Sequence, residues 1–297
     1  MNVLVVGGSG FVGGHLCREL NERGHEVTAL SRSPGGDDLP AGVNEVMGNV
    51  RAYESIRAAF EGVEAVYNLV ALSPLYKPKG GNGMHDEVHR RGTENVVRAA
   101  ETHGVDRYVQ MSGALADPDA PTAYLRSKGR AERIVTDSDL DYTIFRPAVI
   151  FGEGGEFVPF TKRVAPPYLT PMPGGGETRF QPIWIGDFVP MFADAIEDER
   201  HVGETYEIAG PETLTLAEIA RLIHESEDRS VRVVPIPMGL VRLGSLIGGA
   251  IPGFPFGPDQ YRSLTLDQTY DRNDAEAFGV DTDEMKTLRA YLTERDV

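Results

Sequence analysis

The 297-residue chain holds one cysteine (Cys17), one tryptophan and only five lysines. A lone cysteine excludes an internal disulfide, and it fits a reducing cytoplasm. No basic segment followed by a long apolar run opens the chain, so no secretory leader is expected. No uninterrupted apolar stretch reaches the roughly 20 residues of a membrane span. Cations are scarce: 29 against 45 carboxylates, for a formal net charge of −16. A surface of that sign repels nucleic acid backbones, so no nucleic-acid partner is expected. Many carboxylates with little lysine read as halophilic, because a salt-loaded cytoplasm screens the self-repulsion. No metal-ligating set is expected.

What is present is an alternation. Residues 2–6 form a short apolar run ending in glycines, which reads as a buried strand. Val12, Leu16 and Leu20 follow at helical spacing, and Gly24 closes that helix. Further strands are expected at "HEVTAL", Val43–Met47, Ala65–Leu69, Arg107–Met111 and Tyr142–Phe145. Helices are expected near Tyr53–Phe60, over Asp86–His103, and around Tyr124. Strands alternating with helices imply a parallel sheet covered on both faces. Residues 152–182 are rich in Gly and Pro and read as loops. A helix near Asp187, a strand at "TYEIAG" and a helix capped by Thr215 with Glu218 three residues on complete the pattern.

Gly7, Gly10 and Gly13 are spaced G-x-x-G-x-x-G. They follow a strand and open a helix, the context in which such a loop cradles a pyrophosphate. Glycines let the backbone approach the phosphates, and the helix N-terminus offers free N–H groups and a positive dipole end. At the end of the second strand, "ALSRSP" lacks the carboxylate that would hold the ribose 2′-OH of NAD. Ser31 and Arg32 stand there instead. The arginine fork suits a 2′-phosphate, so the residues favour NADP over NAD. Arg32 also reads as an ordinary solvated loop residue.

These segments resemble the extended and atypical short-chain dehydrogenases/reductases. "GGSGFVG", "GNVRAYESIRAAFEGVEAVYNLVA", "RGTENVVRAAETHGVDRYVQMS", "YTIFRPAVIFG" and "QPIWIGDFV" carry the likeness, over residues 1 to about 195. The tail "PFGPDQYRSLTLDQTYDRNDAEAFGVDTDEMKTLRAYL" is similar in layout to one branch. That branch comprises the nucleotide-binding accessory subunit of respiratory complex I and its prokaryotic relatives. The resemblance implies an α/β fold, a Rossmann doubly wound parallel sheet. Residues 1–151 would form the nucleotide domain and 152–297 mainly a smaller substrate or lid region, with 183–209 returning to the sheet. The implied cofactor contacts are Gly7, Ser9, Gly10, Phe11, Val12 and Gly13 of the loop, with Ser31 and Arg32. Further along they are Asn49, Val50, Val70, Ala71, Met111, Pro147 and Val149. Asn49 stands where the family carries an acidic residue beside the adenine.

Tyr124 and Lys128 lie four apart, hence on one helix face. The resemblance makes them an acid/base and its supporting ammonium, both also touching the cofactor. The family's usual Ser/Thr partner aligns with Gly113, and Ser112 precedes it. A one-residue offset on a strand turns the side chain to the other face. His89 replaces the family's usual asparagine and reads as a relay or as a bland helix residue. Three functions remain open. One is an NADP(H)-dependent oxidoreductase using Tyr124, Lys128 and Ser112 on a small carbonyl or hydroxyl substrate. Another is a catalytically quiet accessory protein of a respiratory NADH dehydrogenase-type complex, peripheral to a membrane. The third is a sugar-nucleotide epimerase. "MGLVRLGSLIGGAIPGFPFG", residues 238–257, reads as a lid helix and loop, or as a surface for a protein partner or a membrane edge.

Overall fold

The computed structural model describes residues 1–35, 39–250 and 257–294, the side chains of 248–250 excepted. Residues 251–256 of the apolar stretch 238–257 lie outside the described residues. The chain divides into two compact units. The first comprises Met1–Leu72, Gly80–Arg146 and Phe188–Tyr206; the second comprises Ser73–Lys79, Pro147–Asp187 and Glu207–Val297.

Six strands pair in parallel: β1 (Asn2–Val6), β2 (Glu26–Ser31), β3 (Asn44–Met47), β4 (Ala65–Asn68), β5 (Arg107–Met111) and β6 (Asp141–Pro147). With Thr205–Ile208 beyond β6 they make a seven-stranded sheet, ordered Thr205–Ile208, β6, β5, β4, β1, β2, β3. The order reverses at β1, so right-handed crossovers send helices to opposite faces, as in a doubly wound Rossmann sheet. Such a sheet is buried on both faces, which is why β1 and β4 read as near-continuous apolar runs. Val3, Leu4, Val5 and Val6 are all buried, as are Ala65, Val66 and Tyr67.

The first helix, α1, spans Phe11–Glu22 and buries Val12, Leu16 and Leu20, as their spacing predicts. The helix expected near Tyr53–Phe60 is instead two 3₁₀ turns, Tyr53–Ser55 and Arg57–Phe60. Ser55 explains the break. Its hydroxyl bonds back to the Asn49 and Ala52 carbonyls, an alternative to the helical ladder. The helix expected over Asp86–His103 is composite. A short α2 (Gly83–His85) runs through a π-turn, Asp86–Arg90, into α3 (Arg91–His103). Tyr124 lies on α4 (Ala123–Thr136), whose N-cap Thr122 accepts the Leu125 N–H.

In the second unit, Tyr168–Pro173 pairs in parallel with Val231–Ile236. The helix Leu216–Glu225 starts with the expected capping box of Thr215 and Glu218. Its Ile219 and Ile223 pack with Phe151, Phe157 and Leu288. The Asp187 carboxylate accepts the Lys286 N–H at 2.8 Å, so it ties the tail segment to its helix.

Candidate nucleotide and catalytic site

The glycine loop is built for backbone approach. Gly7 has φ +94°, a left-handed conformation that disfavours side chains. A Cβ on Gly13 would sit 2.3 Å from the Gly7 carbonyl oxygen, and one on Gly8 would sit 2.6 Å from the Ala29 Cβ. The first turn of α1 therefore lies directly on the end of β1. The Gly14 N–H bonds the Gly10 carbonyl at 2.8 Å, and Gly10 offers no side-chain cap. The amides of Phe11, Val12 and Gly13 precede that bond and have no intrahelical acceptor. Ser9 and Gly10 are exposed and Val12 is buried.

At the end of β2, the Ser31 hydroxyl is buried and has no hydrogen-bond partner among the described residues. Arg32 beside it is exposed and makes no ion pair among the described residues. A cradle that a Cβ would fill, together with an orphaned buried hydroxyl, fits a nucleotide. Asn49 is half-buried; its Oδ1 accepts the Arg51 N–H at 3.1 Å, leaving the amide nitrogen as the donor for a base edge. Val50 is clamped under α3: Asn95 donates to its carbonyl at 2.7 Å, and Gly92 leaves the space its side chain needs. Val70 touches the loop, its Cγ2 3.5 Å from the Cβ position of Gly7, while Ala71 is exposed. Pro147 and Val149 belong to the second unit, where Val149 accepts the Ile183 N–H and packs beside Phe151.

Tyr124 and Lys128 share a face of α4. Lys128 is almost fully buried, and its Nζ donates to the Met111 carbonyl at 2.8 Å. Burial lowers its pKa to about 8, against the opposing pull of Glu132. Burial likewise pushes the Tyr124 phenol up to about 12. A Cβ built on Gly113 would lie 3.4 Å from the Tyr124 hydroxyl, in ordinary contact. Position 113 thus faces the phenol, and the chain presents no hydroxyl there. Ser112 is buried with its Oγ unpartnered among the described residues, and its N–H bonds the Phe145 carbonyl at 2.7 Å. The loop beyond Gly113 carries Leu115 at φ +62°, a strained value for a branched residue. Gly129 lets α4 reach that loop, since a Cβ there would fall 2.3 Å from the Asp117 carbonyl carbon.

His89 occupies the π-turn, the kind of helix defect that recurs at functional sites. Its Nε2 accepts the Leu72 N–H at 2.9 Å. Its Nδ1 lies 2.8 Å from the Ser127 Oγ, whose own hydroxyl donates to the Tyr124 carbonyl at 2.8 Å. The serine proton being committed, the histidine Nδ1 must carry the hydrogen, so the imidazole is neutral. Burial holds its pKa well below the usual range, aided by Lys128 and His85. The His89 ring meets the Tyr124 ring edge-on at 5.3 Å, and the His85 ring meets it at 5.7 Å. Both nitrogens of His89 are therefore occupied in holding α4 and the turn after β4. The reading from sequence missed His85, although its four-residue spacing from His89 was visible. It also missed a buried network in which Asn68 joins Thr93, Tyr108 and Gln110.

The sequence pattern of the NAD(P)H-binding family matches residues 7–162, just over half of the chain. The chain belongs to that family. It is 28% identical over 286 residues to the mitochondrial NADH dehydrogenase [ubiquinone] 1 alpha subcomplex subunit 9 of Arabidopsis thaliana, covering 89% of this chain and 69% of that one. It is 28% identical over 238 residues to the NAD(P)H azoreductase of Xenophilus azovorans, covering 80% and 77%. Among solved structures, MoeE5 in complex with UDP-glucuronic acid and NAD superposes with a TM-score of 0.77 over the full length of both chains. At 18% identity that likeness speaks to the fold alone. The resemblance to the extended and atypical short-chain dehydrogenases/reductases, and to the complex I subunit among them, stands on these matches.

Proposed function

We propose that the chain is an NADP(H)-binding reductase that acts slowly on a small carbonyl substrate. Gly7, Gly10 and Gly13 would receive the pyrophosphate, Ser31 and Arg32 the 2′-phosphate, and Tyr124 and Lys128 the nicotinamide end. The bound cofactor supplies the hydride. Tyr124 supplies the proton to the carbonyl oxygen, and Lys128 stabilises the phenolate left behind. A phenol held near 12 keeps its proton at neutral pH, which suits an acid for reduction better than a base for oxidation. The observation that carries the reading is the Tyr124 hydroxyl facing position 113. The same observation limits it, because glycine polarises no carbonyl.

That limit favours a second reading, a catalytically quiet nucleotide-binding accessory protein, in keeping with the similarity to the plant NADH dehydrogenase subunit. One experiment separates them. NADPH and NADH are titrated by nicotinamide fluorescence in high salt, and turnover is measured on a carbonyl panel for the parent, Tyr124→Phe and Gly113→Ser. The reductase reading expects NADPH to bind more tightly, with that preference weakened in Arg32→Ala. It expects slow parent turnover, none in Tyr124→Phe, and about tenfold more in Gly113→Ser, equivalent to about 1.4 kcal/mol of barrier. NADPH binding without turnover in the parent or in Gly113→Ser supports the accessory reading instead.

A further inference from the structure

Eight of the eleven large apolar side chains that stand exposed among the described residues belong to the second unit. They lie in two segments joined by strand pairing, Val164–Leu169 and Val234–Ile247. In that parallel ribbon Leu169 is opposite Arg232 and Pro171 is opposite Val234. Those four share one face by the two-residue alternation, and all four are exposed. The other face places Met172 and Val233 against Ala165, Ala217 and Ala220. The outer face of a surface ribbon is normally polar; this one is apolar with an arginine.

The helix Met238–Ala250 follows the ribbon directly. Leu240, Leu243 and Ile247 recur at i, i+3 and i+7, with Leu246 beside them. Their exposures run from 55% to 62%, while Ser245 is buried. Tyr168 stands 65% exposed at φ +70°, a left-handed strain for a non-glycine residue.

Charge indicates what meets this surface. Residues 157–176 and 229–258 contain no Asp or Glu, in a chain that has 45 of them. Arg163, Arg232 and Arg242 are exposed there with no ion pair among the described residues. Aliphatic side chains with flanking arginines and an exposed tyrosine match the interfacial zone of an anionic bilayer. Among the described residues no helix is long and apolar enough to cross a membrane. A symmetric dimer through the same stripe would set the Arg242 side chains near one another with no carboxylate to offset them.

We propose that the outer ribbon face and the stripe of helix Met238–Ala250 dock the protein, lying flat, on an anionic lipid surface. The proposal is independent of the reading of the nucleotide site. It is tested by flotation with vesicles of phosphatidylcholine, with and without phosphatidylglycerol, at the lowest salt at which circular dichroism shows the parent folded. The parent is expected to float with the anionic vesicles and about tenfold less with the neutral ones. Leu243→Glu with Ile247→Glu should abolish flotation. Arg232→Glu with Arg242→Glu, which alters only exposed charges, should remove the preference for anionic lipid. Circular dichroism spectra and thermal midpoints should be unchanged in both pairs, which verifies that they fold. No flotation of the parent, or equal flotation of the parent and both pairs, overturns the proposal. So does a parent dimer in sedimentation that the leucine–isoleucine pair dissolves without any vesicle binding.

Discussion

Replacing Lys128 with methionine should make the protein more stable at neutral pH and flatten part of its pH dependence. The folded chain holds this lysine near 8, against 10.5 for the ordinary side chain. At about 1.4 kcal/mol per pH unit, that gap costs about 3 kcal/mol wherever both states are protonated. Between pH 8 and 10.5 the unfolded chain keeps the proton that the folded chain has released. The unfolded state then binds more protons, so stability rises with pH and the penalty fades. Methionine fills similar space with no charge to desolvate, and it forfeits the bond from Nζ to Met111, worth about 1 kcal/mol. The variant should therefore exceed the parent by about 2 kcal/mol at pH 7, and the difference should vanish and reverse by pH 10. Cys17 and Tyr124, both raised by burial, oppose the rise above pH 9 and 10 respectively. In the folded chain both stay protonated through pH 10 with or without the lysine, so the difference between the two proteins isolates Lys128. Urea melts of both proteins from pH 7 to 10, in constant high salt without nucleotide, make the measurement. A difference that stays constant across that range would refute the claim that folding desolvates this ammonium.

Three further outcomes are expected. Gly13→Ala should weaken NADPH binding by tenfold or more in fluorescence titration, because its Cβ would meet the Gly7 carbonyl at 2.3 Å and must displace the loop. His89→Leu should lower stability by about 1–3 kcal/mol in denaturant melts, since it orphans the Leu72 N–H, whereas His89→Gln keeps one donor and one acceptor and should recover most of the loss. Thermal midpoints should rise clearly between dilute buffer and molar salt, because a net charge of −16 repels itself until screened; a flat response would remove the halophilic reading.

The strands of the sheet, the glycine loop and the face that Tyr124 shares with Lys128 were legible in the sequence. Each is a local pattern. Apolar runs of four or five residues make buried strands, and glycine spacing before a helix sets the phosphate turn. A four-residue interval on a helix needs no knowledge of the rest of the chain. The capping box at Thr215 and Glu218 was legible for the same reason. Tertiary structure decided the rest, because the partners are distant in sequence. The emptiness opposite the Tyr124 hydroxyl depends on how β5 and α4 meet. The role of His89 depends on Leu72 and Ser127, 17 and 38 residues away, and on a π-turn that helical periodicity conceals. The two 3₁₀ turns in place of a helix are the local exception, since the Ser55 hydroxyl bonds backward only to Ala52 and Asn49, a competition that helical periodicity does not register. The desolvation that lowers the Lys128 pKa is likewise a property of the packed interior, since an exposed ammonium in the same sequence would keep its ordinary value.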